Sequence, residues 1–100
     1  MKGYRFLPPA EEEVTEASFY YQTASGGLGQ EFLDDLQRTI NAVRERPKLG
    51  RPVSRGLRQA PLQRFPFLLI YAEEEEILVV AVAHQNRRPG YWRAREWSGT

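Results

Sequence analysis

Cysteine is absent from the 100 residues, and there is a single histidine. A disulfide framework and a thiolate metal site are therefore excluded, and one histidine without cysteine partners argues against zinc. No cofactor is expected. No apolar run approaches the length of a membrane span. The N-terminus also lacks a secretory pattern, because Lys2 and Arg5 are followed by Pro8-Pro9 and an acidic cluster. The expected setting is the cytosol, with no membrane partner. Lysine is scarce as well: every cation after Lys48 is arginine. Arginine presents a planar five-donor fork suited to phosphates and carboxylates.

The chain is long enough for one domain, expected to span residues 1–100. A domain of this size buries roughly 65% of its unfolded surface, enough for one modest core. The net charge is +1. Residues 1–50 carry six Lys/Arg against eight Asp/Glu, and residues 51–100 carry eight Arg against five Glu. Four of those five glutamates fall in one run, Glu73 to Glu76, which leaves the rest of the second half basic.

The most apolar part of the chain lies between Arg64 and Arg95. Phe65–Ala72 and Ile77–Ala83 are short, rich in β-branched and aromatic residues, and apolar on both faces, as central strands are. The four glutamates between them predict a turn, so the two runs should form a buried hairpin. Its second strand ends at His84 and delivers Arg87, Arg88 and Tyr91 to one end of the sheet. Upstream, Tyr4–Leu7 is a candidate strand whose place in the sheet stays open. A helix is predicted from Pro9 to Thr23: proline suits the first turn, and Glu11, Glu12 and Glu13 complement the positive end of the helix dipole. Ala10, Val14, Ala17 and Tyr21 mark its buried side, and Glu12, Glu13 and Glu16 read as a solvated face. After Ser25-Gly26-Gly27, the stripe Leu28, Phe32, Leu36, Ile40 and Val43 predicts a second helix, Gly29–Arg46, ended by Pro47. The short connection makes the two helices an antiparallel hairpin. Arg38, Arg44 and Arg46 fall off the stripe and are expected in solvent. Lys48–Arg55 reads as a loop. Leu57–Leu62 reads as an edge strand or edge segment, because Pro61 is unsuited to a central position. Trp92 should fold back on the core. The order β-α-α-β-β-β, with helices and strands segregated, predicts an α+β fold with a helical hairpin packed on a mostly antiparallel sheet.

The opening Pro8-x-Ala10-x-x-Glu13, the Leu28-Gly29 and Phe32-Leu33 start of the second helix, Pro47 with Gly50, and Gly56-x-Arg58 follow one another in a recognisable order. Arg64-Phe65-Pro66-Phe67, Ile70-Tyr71 and Val80-x-Val82-x-His84-x-x-Arg87-x-Pro89-x-x-Trp92-x-x-Arg95 complete it. In this order and spacing, from Tyr4 to Arg95, the chain resembles the RelE/ParE toxins of bacterial toxin–antitoxin modules, particularly the ParE-like and plasmid-stabilisation branch. The resemblance implies a growth-inhibiting toxin neutralised by a cognate antitoxin. It leaves the mode of action open: RelE-like members cut messenger RNA on the ribosome, ParE-like members poison DNA gyrase, and some members keep the fold without the toxicity.

Metal-independent RNA cleavage needs a base, an acid and cations on the phosphate. His84 and Tyr91 are the candidates for proton transfer, and Arg58, Arg64 and Arg87 for charge. Each also has a plainer reading. His84 can fix the loop that follows its strand, Tyr91 can pack beside Trp92, and Arg64 can pair with a helix or turn carboxylate. For a protein target the candidate surface is Arg87, Arg88 and Tyr91. A net charge of +1 is poor for docking into ribosomal RNA. Nuclease-like members carry lysines after the second helix, where this chain has only Lys48. Both features lean towards the gyrase reading.

Overall fold

A computed structural model describes residues 1–97. The order is β1 (Tyr4–Phe6), α1 (Pro8–Ala24), α2 (Leu28–Glu45), β2 (Arg51–Ser54), β3 (Leu57–Pro61), β4 (Phe67–Glu73) and β5 (Ile77–His84), followed by a short 3-10 turn, Tyr91–Ala94. The strands form one sheet in the order β1-β5-β4-β3-β2. β1 runs parallel to β5, and the remaining pairs are antiparallel. The expected α+β fold, with its helical hairpin and buried β4–β5 hairpin, is present.

Two packed layers follow from the alternation along the strands. Phe67, Leu69 and Tyr71 of β4, together with Phe65, Phe32, Leu36, Ile40 and Val43, form the core between helices and sheet. Ile70 and Ala72 point to the other face, where Trp92 closes over Leu57, Leu78 and Val80. Trp92 is only 5% exposed, so the C-terminal segment does fold back as the sequence suggested.

Two glycines let elements approach closely. A Cβ on Gly29 would lie 2.6 Å from the Ser18 carbonyl oxygen, so α1 and α2 could not meet as they do with any larger residue. A Cβ on Gly50 would lie 2.7 Å from the Tyr71 hydroxyl oxygen. That hydroxyl accepts from the Gly50 N–H (2.8 Å) and donates to the Pro47 carbonyl (2.8 Å), pinning the α2–β2 loop to the core.

Several expectations are corrected. Residues 51–54, read as loop, form β2, so the sheet has five strands. β3 is accordingly internal and not an edge. Pro61 is tolerated because β2 pairs only as far as Gln59, leaving the outer side of Ala60-Pro61 without a ladder partner. Phe65 lies in the turn before β4 instead of in the strand. Arg44 is half-buried, donating to the Lys2 carbonyl at 2.6 Å and lying over the Tyr4 ring. Glu13, expected in solvent, has a side chain only 10% exposed.

A buried carboxylate that sequence reasoning passed over organises the β3–β4 turn. Asp35 of α2 is fully buried and accepts from three consecutive N–H groups, those of Gln63 (3.2 Å), Arg64 (2.8 Å) and Phe65 (3.0 Å). Arg38 pairs with it at 3.5 Å.

Candidate functional site

The site begins with an irregularity in β5. Ile70 pairs with Ala81 but Tyr71 pairs with Val79, so Val80 is an extra residue, a β-bulge. The bulge shifts the alternation, and Val80 and Ala81 both join the outer core. β1 covers β5 only from Ile77 to Val79, because Pro8 starts a helix immediately afterwards. Beyond that point the β1-side edge of β5 has backbone groups to satisfy. α1 supplies the answer. Glu13 Oε1 accepts the Val82 N–H at 3.0 Å, and the Val80 carbonyl accepts from Arg95 Nη1 at 2.9 Å.

Glu13 is the centre of a four-residue network. Arg95 donates to both its oxygens, at 3.0 and 2.9 Å, and the Tyr91 hydroxyl donates to Oε2. Arg87 approaches Oε2 at 3.4 Å and stacks on the Tyr91 ring with its guanidinium carbon 3.6 Å from the ring centre. Arg95 approaches the same ring at 5.2 Å. The network ties α1, the edge of β5 and the C-terminal segment together.

These contacts fix the protonation states. Burial alone would raise the Glu13 pKa, but hydrogen bonds from Arg95, Tyr91 and the Val82 N–H outweigh it and hold the carboxyl below its ordinary value. Tyr91 moves the other way. Burial, then its hydrogen bond to Glu13 and the charge of that carboxylate, push its pKa well above that of a free tyrosine. The hydrogen bond to Glu13 likewise raises the Arg95 pKa and keeps it a cation. At neutral pH the cluster is a carboxylate held by a neutral phenol and two guanidinium groups.

His84 closes β5, pairs with Phe67 in the ladder and meets its ring edge-on at 5.0 Å. Its Nδ1 accepts the Asn86 N–H at 3.0 Å, while the His84 carbonyl accepts the Arg87 N–H at 3.0 Å. It thus shapes the turn that presents Arg87. Two clefts share His84 and Arg87. One, of about 330 Å³, lies beside α1 and is lined by Ala17, Tyr20, Tyr21, Phe67 and Val82. The other, of about 340 Å³, lies on the outer face of the sheet, among Arg51, Arg87, Arg88, Tyr91 and Arg93.

The fold brings His84, Arg87, Arg88 and Tyr91 to one end of the sheet and leaves Arg58 and Arg64 outside that cluster. Arg58 donates to the Gly50 carbonyl at 2.7 Å and pairs with Tyr71, four residues along β4 from the partner of His84. That separation is roughly 13 Å along the strand. Arg64 pairs with Glu31 at 2.8 Å and lies over the Phe65 ring. Glu13 and Arg95 were not among the candidates. The signal for Glu13 was present, because it stands three residues after Ala10 and four before Ala17, both buried. Among the described residues, no group of three or more His, Cys, Asp or Glu side chains is arranged to hold a metal ion. No helix among them is long and apolar enough to cross a membrane.

A family model described as the ParE toxin of type II toxin–antitoxin system, parDE, matches residues 4–89. No curated protein matches the chain by sequence. Among solved structures, a chain of the chromosomal ParDE TA system from P. aeruginosa is similar, with a TM-score of 0.73 at 18% identity, over 84% of this chain and 96% of that one. At that identity the likeness concerns the fold.

Proposed function

This chain belongs to the ParE toxin family of type II toxin–antitoxin systems, and we propose that it arrests growth by poisoning DNA gyrase and is neutralised by a cognate antitoxin. The observation that carries the choice of target is the carboxylate at the centre of the site. Glu13 occupies the hydrogen-bonding capacity that a nuclease would direct at a scissile phosphate. It offsets Arg87 and Arg95 and accepts the hydrogen bond of the Tyr91 hydroxyl. A tyrosine with a raised pKa is no general base near neutral pH, and a fixed anion repels the charge that builds on a phosphate in the transition state. A protein that acts by binding needs a shaped and rigid surface instead, and a cross-linked network provides one. On this reading Arg87, Arg88 and Tyr91 form the target-binding rim, and the protein works in the cytoplasm, where gyrase is.

The antitoxin is the expected occupant of the cleft beside α1. Tyr20 and its neighbour Phe19 are 67% and 73% exposed, and Arg87 borders the same cleft. Because Glu13 and Glu16 also line this cleft, an amphipathic segment seats its apolar side there and turns its acidic side to the rim of Arg87 and Arg88. Charge speeds its encounter, and the buried aromatics set its residence time.

The alternative reading, ribosome-dependent cleavage of messenger RNA, rests on His84, whose Nε2 remains after Nδ1 is engaged by Asn86. Induction of the toxin alone separates the cases. Arrest with intact messenger RNA and accumulated gyrase–DNA cleavage complexes supports the proposal. Arrest with cut messenger RNA supports the nuclease, and unimpaired growth supports a non-toxic binding module. Co-induction of the antitoxin restores growth in either toxic case.

A further inference from the structure

The arginines divide into two groups. Arg5, Arg38, Arg64, Arg87 and Arg95 each face a carboxylate within 4 Å. The other seven meet none among the described residues, and three of these, Arg51, Arg88 and Arg93, stand together. All three are exposed, and with Arg87 they surround the outer-face cleft of about 340 Å³. Arg51 comes from β2 on one side, and Arg88 and Arg93 come from the segment after β5 on the other. No Asp or Glu lines this cleft. The Gln59 amide, with its oxygen turned towards Arg51 so that both of its polar atoms find partners, would accept from that guanidinium at 3.1 and 3.3 Å without neutralising it. Three exposed guanidinium groups without a carboxylate partner, around one cleft that no Asp or Glu lines, make this face locally positive in a chain of net charge +1.

The surroundings of the cleft select among anions. An acidic peptide takes its residence time from buried apolar anchors. The exposed large apolar side chains are Met1, Phe19, Tyr20 and Leu49, and none of them lines this cleft. A splayed single strand needs an open aromatic face to stack on. Trp92 is 5% exposed, and the Tyr91 ring already carries the Arg87 guanidinium at 3.6 Å. What is left is a set of planar guanidinium forks, which suits the repeating phosphates of a duplex.

We infer that the outer-face cleft grips the phosphodiester backbone of duplex DNA, so that the toxin engages gyrase with its DNA in place. The second half of this statement rests on the gyrase reading above; the first half does not. Binding through so few cations is weak and sequence-independent. Engagement of the three unpaired arginines gives a slope of log K against log salt of about −2 to −3.

The test is fluorescence anisotropy of a short labelled duplex titrated with the full chain at several salt concentrations, in the absence of gyrase. Comparison is made with the double variant Arg51→Gln/Arg93→Gln and with the charge-matched double control Arg46→Gln/Arg55→Gln, whose residues are exposed and do not line the cleft. The wild type and the control should share one steep slope, and the double variant should lose about two units of it, with its thermal transition unchanged. Equal slopes for all three proteins would overturn the inference, as would tighter binding of a single strand or displacement by polyglutamate but not by unlabelled duplex. A parallel supercoiling assay keeps the two readings apart. DNA binding without gyrase inhibition sinks the functional proposal and leaves the ligand of the cleft standing. Gyrase inhibition that the double variant retains in full sinks the inference alone.

Discussion

Replacing Glu13 by glutamine tests the network with the smallest change in shape. The substitution removes the charge that pairs with Arg95, whose own side chain is 17% exposed against 10% for Glu13. Breaking a buried ion pair on one side costs about 3–5 kcal/mol, because the remaining charge is stranded. Here Arg95 keeps its bond to the Val80 carbonyl, and the glutamine oxygen can still accept one donor, so about 2–3 kcal/mol is expected. A domain of this size has roughly 5–15 kcal/mol in total. At ~4–8 °C per kcal/mol, the melting temperature at pH 7 should fall by about 10–20 °C. The pH dependence supplies a second check. The folded-state pKa of Glu13 is depressed, so its contribution is fully present above the unfolded value of about 4.3 and is lost as pH falls through the folded pKa. The gap between wild type and Glu13→Gln should therefore be wide at neutral pH and should narrow in acid, below the ordinary carboxylate range. Calorimetry at the two extremes decides. A loss under ~0.5 kcal/mol at neutral pH, typical of an unremarkable surface site, would refute the reasoning, and so would a gap that does not change with pH.

Asp35→Asn replaces one of the oxygens that serve three backbone N–H groups with a donor, and should cost about 2–3 kcal/mol of stability by denaturant titration. Tyr71→Phe strips the Gly50 N–H of its partner inside the core and should cost about 1–3 kcal/mol, with hydrogen exchange at Gly50 accelerated. Phe19→Ala combined with Tyr20→Ala should leave stability within ~0.5 kcal/mol, since both side chains are exposed, and should weaken antitoxin binding about tenfold or more, as the loss of aromatic anchors does. Calorimetric titration with the antitoxin measures that effect.

What the sequence made legible is the part whose signal is local. The periodicity of Leu28 to Val43 marks α2 and its buried side. The two apolar runs around Glu73–Glu76 mark β4 and β5. His84, Arg87, Arg88 and Tyr91 stand close together in the chain, and their clustering needs only a strand end and a turn. The rest depends on partners far away along the chain. Glu13 and Asp35 look like surface carboxylates until Arg95, 82 positions on, and the 63–65 turn are folded against them. β2 has almost no apolar pattern, and it forms because β3 offers it a ladder. Arg58 and Arg64 resemble the other candidate arginines in the sequence; strand register carries Arg58 away from the cluster, and Arg64, in the turn before β4, is taken up by Glu31. The bulge at Val80 has no signature in the apolar run Ile77–Ala83, yet it directs the backbone groups that Glu13 and Arg95 satisfy.

On the gyrase reading the site binds a protein target and transfers no proton. The most direct test is His84→Gln in a protein of unchanged melting temperature, assayed in parallel for gyrase–DNA cleavage complexes and for ribosome-dependent messenger RNA cleavage. Wild type and His84→Gln should stabilise cleavage complexes to the same extent, and neither should cut messenger RNA. Ribosome-dependent cleavage by the wild type that disappears in His84→Gln would contradict that reading.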